Sequence, residues 1–388
     1  MQPILQLPPI QLPEPMVRDL RRMNPWWQDG EMPSLPATRR HLVRQMQRRL
    51  EMRLAPAVVV RGPRQIGKTT AQLHVIEDLL KQGVPSRNIF RVQADQLSAV
   101  EEVTEPILRL ADWYEEVVLG ETLNAVARRG EPTYLVFDEI QYFDRWAPQL
   151  KLLVDHSTTQ ALITGSSALH IEQGRDSLAG RITTIEAGVL SLTEIAAFRG
   201  LDLGVPFLAD NGLQPLLDQK FWEGLREHGK MMAAARDETF RWFSERGGYP
   251  LDHQLGQING TIRQELIPLE PEDLAHKLHL SALAEDRAKS VLSETLSTIR
   301  NLDVHRFPLR AVKPEMDCVL TIGTRRIPVE VKYQRKIDPL RDTEGIRTFL
   351  EKAANNAPFG LLVTQTDLET VTDPRIVALP LSTVMLLR

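Results

Sequence analysis

Between residues 57 and 188, short apolar runs alternate with amphipathic segments. Short apolar runs predict five strands, at residues 57–61, 88–92, 133–137, 161–164 and 181–186. Amphipathic segments predict helices at 68–81 and 113–129, the second of which ends at Gly130. Strands that alternate with helical crossovers form a parallel sheet with helices on both faces. The sequence therefore predicts an α/β domain over this part of the chain.

Residues 38–54 predict another amphipathic helix. Its apolar positions recur every fourth residue, at Leu42, Met46 and Leu50. Six of the other positions are arginines, with Glu51 as the single acid: Arg39, Arg40, Arg44, Arg48, Arg49 and Arg53. Two interpretations remain open, because a basic helix face can contact a phosphate backbone or can simply be solvated.

Residues 1–37 are rich in proline and contain Trp26-Trp27. Adjacent tryptophans are costly to expose to water. We therefore expect an extended arm that docks on the folded body, with a disordered tail as the alternative.

The composition narrows the class of protein. The chain has 388 residues, 42% of them hydrophobic and 25% charged, which is ordinary for a soluble protein with two or three domains. A net charge of −4 argues against coating nucleic acid through bulk charge. Cys318 is the single cysteine, which excludes an intramolecular disulfide and a cysteine-built zinc site. With no secretory signal or membrane-length apolar run in the sequence, we expect a cytoplasmic protein without a membrane partner.

The first predicted strand runs directly into Gly62-x-x-x-x-Gly67-Lys68-Thr69, a pattern typical of a phosphate-binding loop. The two glycines permit a tight turn that points backbone N–H groups at the phosphates. Lys68 can reach the β- and γ-phosphate oxygens, and Thr69 can offer its hydroxyl to Mg²⁺. The predicted nucleotide-binding residues are Gly62, Pro63, Arg64, Gln65, Ile66, Gly67, Lys68, Thr69 and Thr70.

Two carboxylates, Asp138 and Glu139, follow the strand at 133–137. Ligands bind at the carboxyl ends of strands in open α/β sheets. Asp138 is suited to hold Mg²⁺, and Glu139 to polarise the water that attacks the γ-phosphate. The alternative is an acidic pair on the surface, but the phosphate-loop pattern upstream favours the catalytic interpretation.

Two further side chains are weaker candidates. Ser166 follows the strand at 161–164 and could sense the γ-phosphate. Arg181 lies just before the fifth strand. It could stabilise transition-state charge on its own nucleotide or on that of a neighbouring molecule, or it could pair with a structural carboxylate.

These motifs resemble those of bacterial and archaeal AAA-type ATP-binding proteins, which pair an ATPase with a C-terminal domain of unknown function. The residues that carry the resemblance are Gly62–Thr70, Asp138–Gln141, Leu162–Ser167, Leu178–Arg181, Asn24–Trp27 and Gly247–Pro250. The resemblance implies ATP as the nucleotide, a core with an additional strand and a catalytic glutamate, and Ser166 as the sensor. The middle region is shorter than the winged-helix-like unit common in this family, so DNA binding is not inferred from it.

A second candidate site lies near the C-terminus. A hairpin turning at Gly323-Thr324 would place Asp317 directly opposite Glu330, with Cβ atoms roughly 5 Å apart. Lys332 would lie on the same face. In such a trio the carboxylates can bind Mg²⁺ and the lysine can activate water or stabilise negative charge during phosphodiester cleavage.

The order of these residues resembles the PD-(D/E)XK nuclease superfamily, although the usual Pro-Asp step is absent. The flanking predictions match its αβββαβ core: a helix at 286–300, a strand at 305–311, a helix at 343–354 and a strand at 359–364. Glu294 could be an additional acid. The alternative is a salt-bridged hairpin face without activity. Basic residues that would suit a nucleic-acid surface surround the hairpin: Arg325, Arg326, Arg335, Lys336 and Arg341.

Together these features predict four parts: an arm at 1–37, an ATPase domain at 38–200, a helical region at 201–282 and a nuclease-like domain at 283–388. We expect an ATP- and Mg²⁺-dependent ATPase coupled to a nuclease-like domain that acts on nucleic acid, DNA rather than RNA. The alternative is an ATP-driven switch or scaffold whose C-terminal domain binds a partner or DNA without cleaving it. A second copy of the chain or another protein is the other expected partner.

Overall fold

A computed structural model describes residues 11–28, 32–165, 178–208, 212–248, 250, 277–297, 299, 302–305, 316–334, 336–368 and 371–388. The chain divides into two compact units, Met1–Val189 and Leu190–Arg388.

The N-terminal unit contains a five-stranded parallel sheet in the order β2-β3-β4-β1-β5. The strands are β1 (Ala57–Arg61), β2 (Ile89–Gln93), β3 (Tyr134–Asp138), β4 (Gln160–Gly165) and β5 (Ile182–Glu186). All five predicted strands are confirmed to within one residue at each end. Because β4 lies between β1 and β3, the additional-strand core implied by the resemblance is present.

Helices cover this sheet. They are α1 (Glu14–Met23), α2 (His41–Met52), α3 (Lys68–Lys81), α4 (Pro106–Tyr114), α5 (Leu123–Arg128) and α6 (Trp146–His156). Short 3₁₀ turns lie at Pro25–Trp27, Ser86–Asn88, Ala94–Gln96, Val100–Glu102 and Ile140–Tyr142. The predicted helix at 68–81 is confirmed, and so is the one within 38–54.

Both faces of the sheet are buried. Along β1, Ala57 and Val59 pack into one apolar cluster and Val58 and Val60 into the other. Successive strand side chains point to opposite faces, so a continuous apolar run is what a strand covered on both sides requires.

One predicted helix, at 113–129, is wrong. The chain forms α4, a π-helical turn at Glu115–Leu119 and then α5. Gly120 adopts a left-handed φ of 71°, which ends the first helix, and Thr122 caps the next through a hydrogen bond from Ala125 N. The helical periodicity continues across this break, which is why the sequence pattern conceals it.

The N-terminal arm docks on the sheet, as expected, but it is not extended. Residues 14–23 form α1, with Pro15 in its first turn, where a missing N–H has no cost. Trp26 is 1% exposed, and the indole N–H groups of Trp26 and Trp27 both donate to the carbonyl of Ile89. Burial of these two rings holds the arm in place.

The C-terminal unit contains a mixed five-stranded sheet in the order β10-β9-β8-β7-β6. The strands are β6 (Asp303–His305), β7 (Cys318–Ile322), β8 (Arg325–Lys332), β9 (Gly360–Thr364) and β10 (Ile376–Pro380). Strands β6, β7 and β8 are antiparallel neighbours, whereas β9 runs parallel to β8 and to β10. Strand β10 was not predicted, and 306–311 of the predicted strand 305–311 lie outside the described residues.

The helices of this unit are α7 (Leu192–Phe198), α8 (Gln219–Met231), α9 (Ala233–Arg246), α10 (Lys277–Ser297), α11 (Glu344–Glu351) and α12 (Leu381–Val384). Its 3₁₀ turns lie at Gln214–Leu217, Ala353–Asn355 and Met385–Leu387. The helices predicted at 286–300 and 343–354 are confirmed with shifted ends. Among the helices in the described ranges, none is both long and apolar enough to cross a membrane.

Candidate functional sites

Backbone geometry shapes the phosphate loop between β1 and α3. A Cβ atom on Gly62 would lie 2.0 Å from the carbonyl oxygen of Ala187, so only glycine fits there. Gln65 and Gly67 have left-handed φ values of 62° and 85°. These turns bring the loop to the N-terminus of α3, where free N–H groups and the helix dipole favour an anion.

Lys68 occupies the interior of this loop. Its ammonium donates to the carbonyls of Gly62 (3.0 Å) and Pro63 (2.7 Å) and lies 3.8 Å from a carboxylate oxygen of Glu139. Burial lowers the pKa of Lys68, and the charges of Glu139 and Asp138 offset this only in part. A phosphate group would add negative charge beside this buried cation and so stabilise its protonated form.

The rest of the loop is anchored from outside. Arg40, at the start of α2, donates to the carbonyls of Ile66 (2.5 Å), Gly188 (3.2 Å) and Val189 (3.0 Å). Ile66 is buried, whereas Pro63, Arg64 and Gln65 are more exposed, and Thr69 and Thr70 are half-buried in the first turn of α3.

Asp138 and Glu139 lie together at the carboxyl end of β3. Asp138 is fully buried and accepts a 2.5 Å hydrogen bond from the hydroxyl of Thr164, at the neighbouring end of β4. The same hydroxyl accepts from the backbone N–H of Glu139 at 3.0 Å. Glu139 has a left-handed φ of 53°, and Gln141 donates to its carboxylate at 2.5 Å. Thr164 therefore links the two acidic residues.

Arg91 is a functional candidate that the sequence analysis missed. It lies on β2, is 5% exposed, and its guanidinium is 3.2 Å from the carboxylate of Asp138. Burial lowers the pKa of Arg91, with Asp138 acting in the opposite direction. The sequence did contain a signal for this pair. Arg91 interrupts the apolar run at 88–92, and a charge buried in a strand requires a partner of opposite charge.

The oxygen atoms available here suit Mg²⁺, a hard cation that prefers carboxylate, hydroxyl and phosphate oxygens. Gln72 lies one turn after Thr69 on α3, and its amide donates to the carbonyl of Phe137 at 3.1 Å. The start of α3 therefore lies against the end of β3, where Asp138 follows. The residues fit a magnesium ion held by Thr69 and Asp138.

Of the two weaker candidates, Arg181 alone lies within the described residues. Ser166 lies outside the described residues. Arg181 precedes β5, whose first residue pairs with Ala57 at the start of β1, so it lies at the sheet edge opposite the phosphate loop. Its guanidinium binds Asp155 through contacts of 2.5 and 2.9 Å. This position does not suit contact with a nucleotide in the same molecule, and a role towards a neighbouring molecule remains a prediction.

The hairpin of the C-terminal unit has the predicted register, with Ile322 opposite Arg325 and Cys318 opposite Val329. One further pair places Asp317 opposite Glu330. A carboxylate oxygen of Asp317 also accepts from the backbone N–H of Val331 at 2.7 Å. The hairpin therefore brings both carboxylates together.

Each of these two carboxylates forms an ion pair with a lysine. Lys332 is 2.8 Å from Glu330, and Lys289 on α10 is 2.8 Å from Asp317 and 2.9 Å from Glu285. We call these five residues the carboxylate–lysine cluster. Lys289 and Glu285 were not predicted, because an acid and a lysine four residues apart on a helix are usually a surface pair.

Burial shifts the titration of this cluster. It raises the pKa of Glu330, and Lys332 offsets this only in part. Burial lowers the pKa of Lys289, but hydrogen bonds to Asp317 and Glu285 outweigh it, so the pKa of Lys289 is raised overall. Glu330 Oε2 is buried and has no hydrogen-bond partner among the described residues. A buried carboxylate oxygen that accepts no hydrogen bond is suited to bind a cation.

Other predictions about this site are met only in part. Arg325, Arg326, Lys336 and Arg341 are exposed, whereas Arg335 lies outside the described residues. The side chain of Glu294 also lies outside them. Within the described ranges, no three His, Cys, Asp or Glu side chains are grouped so that they could hold a metal ion.

Comparisons with known proteins give a family match and similar solved structures. Residues 55–196 match the model of the AAA domain family. Two similar solved structures are the Walker-type ATPase PABY2304 of Pyrococcus abyssi and PCH-2 of C. elegans. The first is 15% identical, covers 69% of this chain and 86% of that one, and has a TM-score of 0.32. The second is 14% identical, covers 40% and 43%, and has a TM-score of 0.28.

Because both TM-scores are below 0.5, neither structural likeness bears on function. The comparison with curated proteins returns no match. The family match spans the phosphate loop, both acidic residues at the end of β3 and the inserted strand β4. The N-terminal unit therefore carries an AAA-type ATPase domain.

Proposed function

We propose that this protein binds ATP with Mg²⁺ and hydrolyses it. The observation that carries the proposal is the phosphate loop at one sheet edge together with Asp138 and Glu139, joined through Thr164. Backbone N–H groups of residues 62–70 would hold the phosphates, and Thr69 and Asp138 would hold the metal ion. When bound, Mg²⁺ offsets the charge of the β- and γ-phosphates.

Glu139 would act as the base that orients and polarises the attacking water. Its left-handed backbone turns it away from the course of β3, and Gln141 holds its carboxylate. Lys68 would exchange its bonds to the loop carbonyls for bonds to phosphate oxygens. Ser166, as the first residue after β4, would sense the γ-phosphate.

Two variants test this proposal. We expect Lys68→Ala to abolish binding of a fluorescent ATP analogue, because the cation inside the loop is lost. We expect Glu139→Gln to keep binding but to lower kcat by roughly 10²-fold or more, as removal of a general base does. The exposed Glu101→Gln is the matched control. Undiminished hydrolysis by Glu139→Gln would exclude this role for Glu139.

For the C-terminal unit we propose metal-dependent phosphodiester cleavage as a second function, with DNA as the preferred substrate. Its order of helix, three antiparallel strands, helix and parallel strand is similar to a PD-(D/E)XK core. Asp317 and Glu330 would hold Mg²⁺, which is supported by Glu330 Oε2, an atom with no hydrogen-bond partner in the described part of the chain. Lys332 would stabilise charge on the scissile phosphate.

The ion pair between Lys289 and Asp317 favours the alternative, an ATP-driven switch with an inactive C-terminal domain. Directly opposed carboxylates repel each other unless a cation lies between them. Lys289 already supplies a cation, so the hairpin does not require a metal ion for its stability.

Nuclease assays separate these two functions. The full chain is incubated with single- and double-stranded DNA and RNA, with Mg²⁺ or Mn²⁺, in the presence and absence of ATP. We expect cleavage that Asp317→Ala and Lys332→Ala abolish and that the exposed Glu351→Ala retains. Cleavage that persists in both cluster variants would exclude this site, and no cleavage by the wild type would support the switch.

A further inference from the structure

The N-terminal arm completes the outer edge of the sheet in the ATPase domain. Among the described residues, β2 is the last strand on its side of the sheet, so alternate backbone groups along it have no partner in another described strand. The arm supplies partners for them. Trp26 and Trp27 donate to the carbonyl of Ile89, and the N–H of Gln93 lies 3.3 Å from the sulfur of Met23.

Asn24 makes the most specific of these contacts. Its amide group donates to the carbonyl of Arg91 at 2.7 Å, and its amide oxygen accepts from the N–H of Arg91 at 2.6 Å. A third bond, to the carbonyl of Leu20, closes the end of α1 at 2.7 Å. Asn24 is completely buried, and its side chain pairs with Arg91 as a neighbouring strand would.

The side chain of Arg91 reaches into the triphosphate site. Its guanidinium lies 2.9 Å from Gln93 and 3.2 Å from Asp138, the residue assigned to Mg²⁺ above. Thr164 occupies the other oxygen of this carboxylate. A cation held beside Asp138 repels a second cation at the same carboxylate, and burial strengthens that repulsion.

We infer that Asn24 and Arg91 are positioning residues, through which the docked arm sets how strongly Asp138 attracts Mg²⁺. Asn24 fixes the backbone of Arg91, and Arg91 holds its guanidinium against Asp138. Release of the arm frees Arg91 to withdraw, and the site then binds Mg²⁺ more tightly. This inference rests on the proposed ATPase function.

The test is a Mg²⁺ titration of binding of a fluorescent ATP analogue to the full chain. In Arg91→Met, we expect the half-saturating Mg²⁺ concentration to fall about 5-fold, because a positive charge near the metal is removed. In Asn24→Ala, we expect a fall of about 2-fold, because the guanidinium is loosened but still present. When EDTA removes Mg²⁺, the affinity of both variants for the analogue should stay within about 2-fold of the wild type, because Asn24 and Arg91 affect nucleotide binding through the metal ion.

Arg18→Met is the matched control, since it removes an exposed arginine of α1 but none of the bonds between the arm and β2. Its Mg²⁺ dependence should equal that of the wild type. An unchanged or raised half-saturation in Arg91→Met overturns the inference even if Asn24→Ala fails to fold. If the wild type binds no nucleotide at any Mg²⁺ concentration, both the inference and the proposed ATPase function are overturned.

Discussion

The phosphate loop and the carboxylate–lysine cluster differ in what holds their shape. At the loop, main-chain geometry dominates: Gly62 packs against a carbonyl, and Gln65 and Gly67 adopt left-handed φ values. At the cluster, the β7–β8 hairpin and helix α10 carry the residues, and opposite side-chain charges hold them together.

The two sites should therefore tolerate different substitutions. A site formed by main-chain turns tolerates new side chains nearby but not a new Cβ atom at a close approach. A site held together by opposite charges is instead destabilised by the loss of one partner, because the remaining charge is left without compensation. The following predictions test this distinction.

The largest effect is expected for Gly62→Ala. The added Cβ would meet a backbone oxygen at 2.0 Å, so the loop or the end of β5 must move. We expect a loss of about 3 kcal/mol in the free energy of unfolding of the N-terminal unit, together with loss of nucleotide binding. Urea unfolding and binding of a fluorescent ATP analogue measure the two effects.

Gly224→Ala is the control for this variant. Gly224 lies within a helix, and an added Cβ would come no closer than 3.5 Å to another atom, so we expect no loss of stability. Equal stabilities of Gly62→Ala and the wild type would show that the loop is not held by its main-chain fit.

A smaller effect is expected for Lys289→Met in the cluster. The loss leaves Asp317 facing Glu330 without its cation, and both side chains of the lost pair are only partly exposed. We expect a loss of about 1 kcal/mol, since partial exposure screens the pair. Urea unfolding with and without Mn²⁺ measures it, and Mn²⁺ should restore more stability to the variant than to the wild type.

The exposed Lys352→Met is the matched control, with no expected change in stability or in response to Mn²⁺. If Mn²⁺ has the same effect on the wild type and on Lys289→Met, then Lys289 does not occupy the place of a metal ion.

The smallest effect concerns pH and the buried His74 on α3, whose ring lies 3.0 Å from the carbonyl of Pro36. Burial lowers the pKa of His74. The unfolded chain therefore takes up this proton at a higher pH than the folded chain. The stability that the neutral ring contributes is present above pH ~6.5 and is lost as the pH falls towards the lowered pKa.

We expect the Tm of the wild type to fall by roughly 2 °C more than that of His74→Gln between pH 7.5 and pH 5. Replacement of the exposed His156 by Gln should leave this difference as in the wild type. If the wild type and His74→Gln respond identically to pH, His74 is not held neutral by burial.

The sequence was most informative where local and tertiary requirements agree. Strand β1 and helix α3 have the predicted bounds, because an apolar run, a glycine loop and a helical periodicity meet there without conflict. Prediction failed at 113–129, since the π-helical turn and the left-handed Gly120 interrupt a continuous apolar face.

Side-chain partners across the sheet could not be predicted. Arg91 and Asp138 are 47 residues apart, and only the adjacency of β2 and β3 brings them together. In the C-terminal unit, the hairpin register followed from its two-residue turn, whereas Lys289 joined the cluster through packing of a separate helix. Local patterns specify turns and registers, but they do not specify which helix face covers a sheet.

The docking of Trp26 and Trp27 also gives the protein a spectroscopic property. Trp27 stacks on Tyr114 with ring centroids 6.1 Å apart, and Phe90 and Trp113 lie within 6.5 Å of its ring. Rings held at fixed angles in a rigid apolar environment give strong near-ultraviolet circular dichroism, and water quenches and red-shifts indole emission. Undocking of the arm should therefore be visible in unlabelled protein, during nucleotide turnover and in real time.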